Sequence, residues 1–276
     1  MTVIKLAPSR SVSIALIAAP LAIPAIYLAF LTYNISRNTK SSSGIRHPKG
    51  GSQFLLQRHG EDEKVTPGKP ASLPEDVRSD DSDWVLAYER VASVPVPLRS
   101  LAFSPTSALG SSSSPLLRAY ASGAHVAFSS TPQAILIRSL VDKETKRTFA
   151  TSWIQNLNFE PGDVVNGAYK VSYCGQGNDT GSERIEVMIQ APPSYKGPVP
   201  NGLILSEIVL TEGAPAGSLP SDSAGDCFVI FVNETWMWRK ESEKPTIIES
   251  KVSGWMHSLM AGWLIKKGIR TGIYLV

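Results

Sequence analysis

The stretch from Cys227 to Arg270 restricts the fold more than any other part of this 276-residue chain. It opens on the apolar run Cys227-Phe228-Val229-Ile230-Phe231-Val232 and passes through Asn233-Glu234-Thr235 into Trp236-Met237-Trp238-Arg239-Lys240. A charged turn ending at Pro245 follows, then a periodic segment from Thr246 to Arg270. Aromatic and β-branched residues suit a pleated, half-buried surface, so the first part predicts a long strand. In the second part Ile248, Val252, Trp255, Leu259 and Trp263 recur at helical spacing, with Met256, Met260 and Leu264 beside them. A long strand feeding so apolar a terminal helix calls for a sheet with a concave side to cover. The closing helix is expected to bury Val252, Trp255, Leu259 and Trp263 and to expose Lys266, Lys267 and Arg270 near its C-terminus, where cations suit the helix dipole.

Period-two segments precede it at Val164–Cys174, Glu183–Ala191 and Gly202–Leu210, joined by a glycine turn at 175–181 and a Gly/Pro/Ser loop at 211–226. Trp84-Val85-Leu86-Ala87-Tyr88-Glu89-Arg90-Val91 is a further strand, with Trp84, Leu86 and Tyr88 on one face. Leu116 to Phe128 predicts a helix weakened by Gly123, and Thr131-Pro132 starts a second one, an N-cap followed by proline at the first helical position. The expected class is α+β: a curved antiparallel sheet packed against helices, closed by a long C-terminal helix and preceded by one transmembrane helix. The folded domain is expected over 84–276.

The transmembrane expectation rests on residues 14–33, which lie within the charge-free interval between Arg10 and Arg37 and are about long enough to cross a bilayer as a helix. Signal-peptide cores are shorter, about 7 to 15 residues, which favours an uncleaved anchor over 1–36 and a single-pass endomembrane protein. The basic residues flanking the run lean toward a cytosolic C-terminal domain. Sequons at Asn34, Asn178 and Asn233 point the other way; Asn178, in a turn, is the usable glycosylation site if the domain is lumenal. From 37 to 83 the composition turns to Ser, Gly, Pro, Lys, Asp and Glu, which predicts a disordered linker carrying His47 and His59.

The net charge of +3, with Lys and Arg scattered, excludes the clustered phosphate contacts of a nucleic-acid binder. The two cysteines, Cys174 and Cys227, make no disulfide scaffold; two buried small residues are favoured over one bridge across the sheet. A strand follows Gly175, Gly177 and Gly181, so that turn is a hairpin and no dinucleotide loop. No P-loop, nucleophile elbow or zinc spacing occurs, so neither a metal nor another cofactor is expected.

An apolar cavity between sheet and helix, taking a hydrophobic small molecule, is the site that remains. Glu89, Glu234 and His257 are the candidate catalytic groups, since a carboxylate against an apolar wall has a raised pKa and histidine titrates near neutrality. Tyr88, Arg138, Tyr169, Trp236, Trp238 and Trp255 are the candidate cavity residues. Plainer alternatives stand beside them: a solvated strand face for both glutamates, a surface or satisfied core histidine, and core packing for the tryptophans. Glu89 poses the sharper choice. Either the face bearing Leu86 and Tyr88 packs under the helices and Glu89 meets solvent, or Glu89 shares the cavity.

The order of strand, two helices, antiparallel meander and long C-terminal helix resembles the helix-grip fold of START-like and polyketide-cyclase-like proteins. The stretches Asp83-Trp-Val-Leu-Ala-Tyr-Glu-Arg-Val91, Thr131-Pro-Gln-Ala-Ile-Leu-Ile-Arg138, Phe231-Val-Asn-Glu-Thr-Trp-Met-Trp-Arg239 and Trp255-Met-His-Ser-Leu-Met-Ala-Gly-Trp263 resemble a fungal group of small membrane-anchored proteins found beside polyketide synthases. They are similar to the cyclase-type accessory proteins of aurovertin-type pathways. The resemblance implies a cofactor-independent role in secondary metabolism, in which a polyketide chain is held for lactonisation or ring closure. It transfers no catalytic residue. A non-catalytic lipid or hydrophobic-metabolite binder, or a membrane-attached interaction module, is the alternative.

Overall fold

The computed structural model describes residues 26–48, 55–57, 67–79, 82–105, 113–191, 195–197, 199–212 and 227–272. The chain divides into two compact units, Met1–Asn38 and Thr39–Val276.

In the first unit, residues 26–36 form a helix, α1. Among the described residues no helix is long and apolar enough to cross a membrane. That finding overturns the transmembrane helix and the single-pass endomembrane placement expected from residues 14–33, of which 14–25 lie outside the described residues.

The second unit is α+β. Its strands are β1 (Thr39–Arg46), β2 (Leu55–Gln57), β3 (Trp84–Ser93), β4 (Val96–Pro97), β5 (Val164–Val165), β6 (Tyr169–Gln176), β7 (Ser182–Ile189), β8 (Asn201–Glu212) and β9 (Cys227–Lys240). They form one antiparallel sheet in the order β2-β1-β3-β9-β8-β7-β6-β5, with β4 also on β9. The helices are α2 (Glu75–Arg78), α3 (Pro115–Phe128), α4 (Pro132–Leu140), α5 (Thr151–Gln155) and α6 (Lys251–Gly272). Local signals set most of these. The Thr131 hydroxyl caps α4 by accepting from the Ala134 N–H at 3.2 Å. The segment expected as one strand at Val164–Cys174 is split where Asn166 and Gly167 adopt positive φ values of 49° and 72°.

Register fixes what each face of the sheet carries. Leu86, Tyr88 and Arg90 of β3 oppose Trp238, Trp236 and Glu234 of β9 on one face. Ala87, Glu89 and Val91 oppose Met237, Thr235 and Asn233 on the other. The helices α3 and α6 lie on this second face, over a core that includes Leu117, Tyr120, Phe231 and Ile265.

The first face is covered by a segment expected to be linker. Leu73 and Val77 pack there with Leu86, Tyr88, Leu205 and Trp236, and the backbone N–H groups of Ala71 and Ser72 donate to the Glu186 carboxylate at 2.8 and 2.7 Å. β1, inside the same 37–83 stretch, pairs with β3 along its whole length. The linker expectation is therefore corrected for 39–46 and 67–79, and its residues 49–54, 58–66 and 80–81 lie outside the described residues. A polar strand such as Thr39-Lys-Ser-Ser-Ser-Gly-Ile-Arg46 draws its order from backbone pairing with an existing edge, a contribution that composition does not register.

The closing helix also differs from expectation. Leu259, Ala261, Gly262, Ile265, Gly268 and Gly272 are its buried residues. Val252 is 70% and Trp255 42% exposed, and Trp263 is half-buried, as are Lys266 and Lys267. The cause is α3: a Cβ added at Gly123 would lie 3.1 Å from the Gly268 Cα and 2.3 Å from the Thr271 hydroxyl oxygen. Two helices crossing this closely select small residues, so the buried stripe runs through the glycines and not through the large apolar side chains. Neither cysteine is in a disulfide, and Cys227 is exposed.

Candidate functional site

Between the helix-covered face of the sheet, α3 and α6 lies a cavity of about 610 Å³, within the range of small-molecule sites. Its walls are largely apolar, with Phe128 from α3, Ile189 from β7, Ile204 from β8, and Met260 and Leu264 from α6. Across the floor run Ser206, Asn233 and Thr235, and His125 and His257 complete the lining. The turn after β9 supplies the rim through Pro245, Thr246 and Ile247.

Glu89 does not itself line the cavity but backs His257, which does. It is 2% exposed, with one carboxylate oxygen 2.6 Å from His257 Nδ1 and the other accepting from the Ser258 hydroxyl at 2.8 Å. Two successive residues of α6 thus bracket one carboxylate of β3. A carboxylate in this position accepts, so Nδ1 carries the hydrogen, and Nε2 is the ring nitrogen left for a ligand. The structure thereby brings together two of the three candidate catalytic residues and puts Glu89 on the helix side of the sheet.

Glu234 lies on the opposite face, 3% exposed. It accepts from Arg90 at 2.5 Å, from the Tyr88 hydroxyl at 3.3 Å and from Trp236 Nε1 at 3.1 Å. Burial and the Glu234 charge raise the Tyr88 pKa well above its ordinary range. In the same cluster Glu207 is pushed up to about 7, chiefly by burial and then by Glu234. Glu234, Tyr88 and Trp236 are therefore corrected as site residues. An odd-numbered spacing from Glu89 across one ladder puts them on the face that residues 67–79 cover.

Of the other expected cavity residues, Tyr169 lines it, and Trp238 borders it while packing with Leu86 and Trp236 on the other face of the sheet. Arg138 is exposed on α4 and Trp255 is exposed on α6, and neither borders the cavity. Asn178 is exposed in the β6–β7 turn, whereas Asn233 is buried on β9. His47 is exposed beyond β1, and His59 lies outside the described residues. Among the described residues no group of three His, Cys, Asp or Glu side chains could hold a metal ion.

No protein-family model, curated protein or solved structure matches this chain. What the site can do must come from its own geometry.

One residue of that geometry was missed in the sequence. His125 lines the cavity, with its ring stacked on Phe159 at 5.9 Å between centroids. Its Nδ1 lies 2.8 Å from Asn166 Oδ1, and the Asn166 amide donates to the Ser129 hydroxyl oxygen at 2.7 Å. That chain makes Nδ1–H the donor and leaves Nε2 as an acceptor. Burial pulls the His125 pKa down to about 4, so the ring is neutral near pH 7. The available signal was helical spacing: His125 falls four residues after Ala121 and three before Phe128, both buried.

Proposed function

We propose that this protein is a cyclase-like protein of fungal secondary metabolism, with a helix-grip-like fold, that folds a hydrophobic polyketide chain in its cavity and promotes lactonisation or ring closure. The observation that carries the proposal is the Glu89–His257 pair set in the wall of an apolar chamber. His257 Nε2 takes a proton from a hydroxyl or from a carbon next to a carbonyl, and Glu89 stabilises the imidazolium through Nδ1–H. In carbon–carbon closure the carbanion adds to a second carbonyl of the chain, and its oxygen takes the proton back from Nε2. In lactonisation the alkoxide attacks an acyl carbon, the acyl–heteroatom bond breaks, and the leaving group receives the proton. Neither route consumes a cofactor. Holding the chain in a near-attack geometry supplies much of the acceleration.

The largely apolar walls also fit a second reading, a non-catalytic lipid or hydrophobic-metabolite binder. Metabolite profiling of a deletion strain, complemented with wild type, Glu89→Gln or His257→Gln, separates the two. Accumulation of an uncyclised precursor that only wild type relieves supports the cyclase. An unchanged spectrum on deletion sinks it, and full rescue by both variants favours the binder.

A further inference from the structure

Thr235 carries a feature that packing does not explain. It is 3% exposed and borders the cavity, yet its hydroxyl oxygen is buried without a hydrogen-bond partner. Valine has the same shape, and buried hydroxyl groups are ordinarily paired. Thr235 is also the Cα partner of Glu89 across the β3–β9 ladder, and directly opposed residues have their Cβ atoms about 4.5–5.5 Å apart. The orphan hydroxyl therefore sits beside the acid–base pair. Two residues along β9, about 7 Å away at strand spacing, Asn233 continues the polar row, and Ser206 of β8 faces it. These three groups are uncharged. Of the charged residues at the rim, Glu243 is acidic, Arg239 is already held by both Glu249 oxygens at 2.8 Å, and Lys244 is exposed.

We infer that Thr235 is the anchor for an uncharged carbonyl oxygen of the ligand, held beside His257, and that the cavity accepts ketone, ester or thioester chains in preference to carboxylates or phosphates. The inference rests on the cavity reading above and names its polar contact. In the reaction the Thr235 hydroxyl donates to the oxygen on which negative charge gathers when His257 takes the neighbouring proton, the role of an oxyanion donor. Asn233 and Ser206 provide a second polar stop farther along an extended chain.

The test uses the full chain and two neutral fluorescent probes: a 6-acyl-2-dimethylaminonaphthalene, whose ketone emission moves to the red on accepting a hydrogen bond, and the hydrocarbon 1,6-diphenylhexatriene. Wild type and Thr235→Ser bind the ketone with red-shifted emission. Thr235→Val binds it about three- to tenfold more weakly, with blue-shifted emission, and binds the hydrocarbon as wild type does. Removing an unpaired buried hydroxyl also raises its Tm by roughly 2–4 °C. Should Thr235→Val not fold, Thr235→Ala takes its place in the binding comparison. Equal ketone emission and affinity in wild type and the hydroxyl-free variant overturn the Thr235 assignment while leaving the cavity reading intact. Failure of both probes to bind wild type overturns the cavity reading and the assignment together.

Discussion

Glu89 and His257 are 168 residues apart in the chain, and 2.6 Å separates the carboxylate oxygen of the first from Nδ1 of the second. The contact ties the third strand of the sheet order to the closing helix, at the wall of the cavity. Glu89→Gln keeps the side-chain volume and removes the charge that supports an imidazolium. On the cyclase reading proposed above, turnover of the cyclised product falls about 10²- to 10⁴-fold, while Tm stays within a few degrees of wild type. Glu89→Ala, which leaves two donors of α6 without their acceptor, costs about 2–3 kcal/mol by denaturant unfolding. Wild-type turnover in Glu89→Gln reduces the pair to a structural link.

The Arg90–Glu234 pair behaves in the opposite manner. Its side chains are 31% and 4% exposed, and residues 67–79 cover that face of the sheet. Glu234→Gln leaves the partly buried Arg90 charge with only Glu207, 3.9 Å away, as an acidic partner, which costs about 1–3 kcal/mol once the solvent reaching Arg90 is allowed for. Turnover per folded molecule is unchanged. A loss of turnover with the melting curve intact would return Glu234 to the chemistry.

Gly268 tests the contact between α3 and α6. On helix propensity alone alanine gains up to about 1 kcal/mol. A Cβ there would lie 2.6 Å from a Tyr120 ring carbon and 2.8 Å from the Tyr120 carbonyl oxygen, and the second of these is backbone. Gly268→Ala is expected to destabilise by about 1–3 kcal/mol. Trp255→Ala, at an exposed site, costs less than about 1.5 kcal/mol. The reverse order in urea midpoints contradicts the packing described here.

Two buried groups pull the pH profile in opposite directions. His125 titrates at about 4 in the folded chain against an ordinary 6.5. Between those values the unfolded chain holds more protons, and stability rises with pH. Glu207 titrates at about 7 against an ordinary 4.5, so the native state holds the extra proton and stability falls as pH rises across that window. Glu207→Gln imitates the protonated form permanently. Its stability relative to wild type should grow by about 2–3 kcal/mol from pH 4.5 to 7, seen as a widening Tm gap. A gap that stays constant with pH removes Glu207 from this account.

Short-range patterns determined much of this protein. The alternation in β9, the helical period after Pro245 and the Thr131-Pro132 start each involve residues a few positions apart, and each element forms within a few residues of its pattern, α6 beginning at Lys251 and not at Thr246. Glu89 and His257 were legible as polar interruptions of apolar segments, because a strand or helix shows its odd residues by period alone. The partners of those residues were not legible. Whether Glu89 or Tyr88 meets the helices depends on what covers the other face, and that cover is anchored where the Ser72 N–H reaches a Glu186 oxygen across 114 positions. The buried stripe of α6 depends likewise on how near α3 can come, which Gly123 and Gly268 decide together. His125 and Thr235 become site residues only once both lie against the same cavity. Periodicity records a preference for some burial, and the tertiary structure chooses which burial, because the energy of covering a face belongs to the pair of surfaces and not to either segment alone.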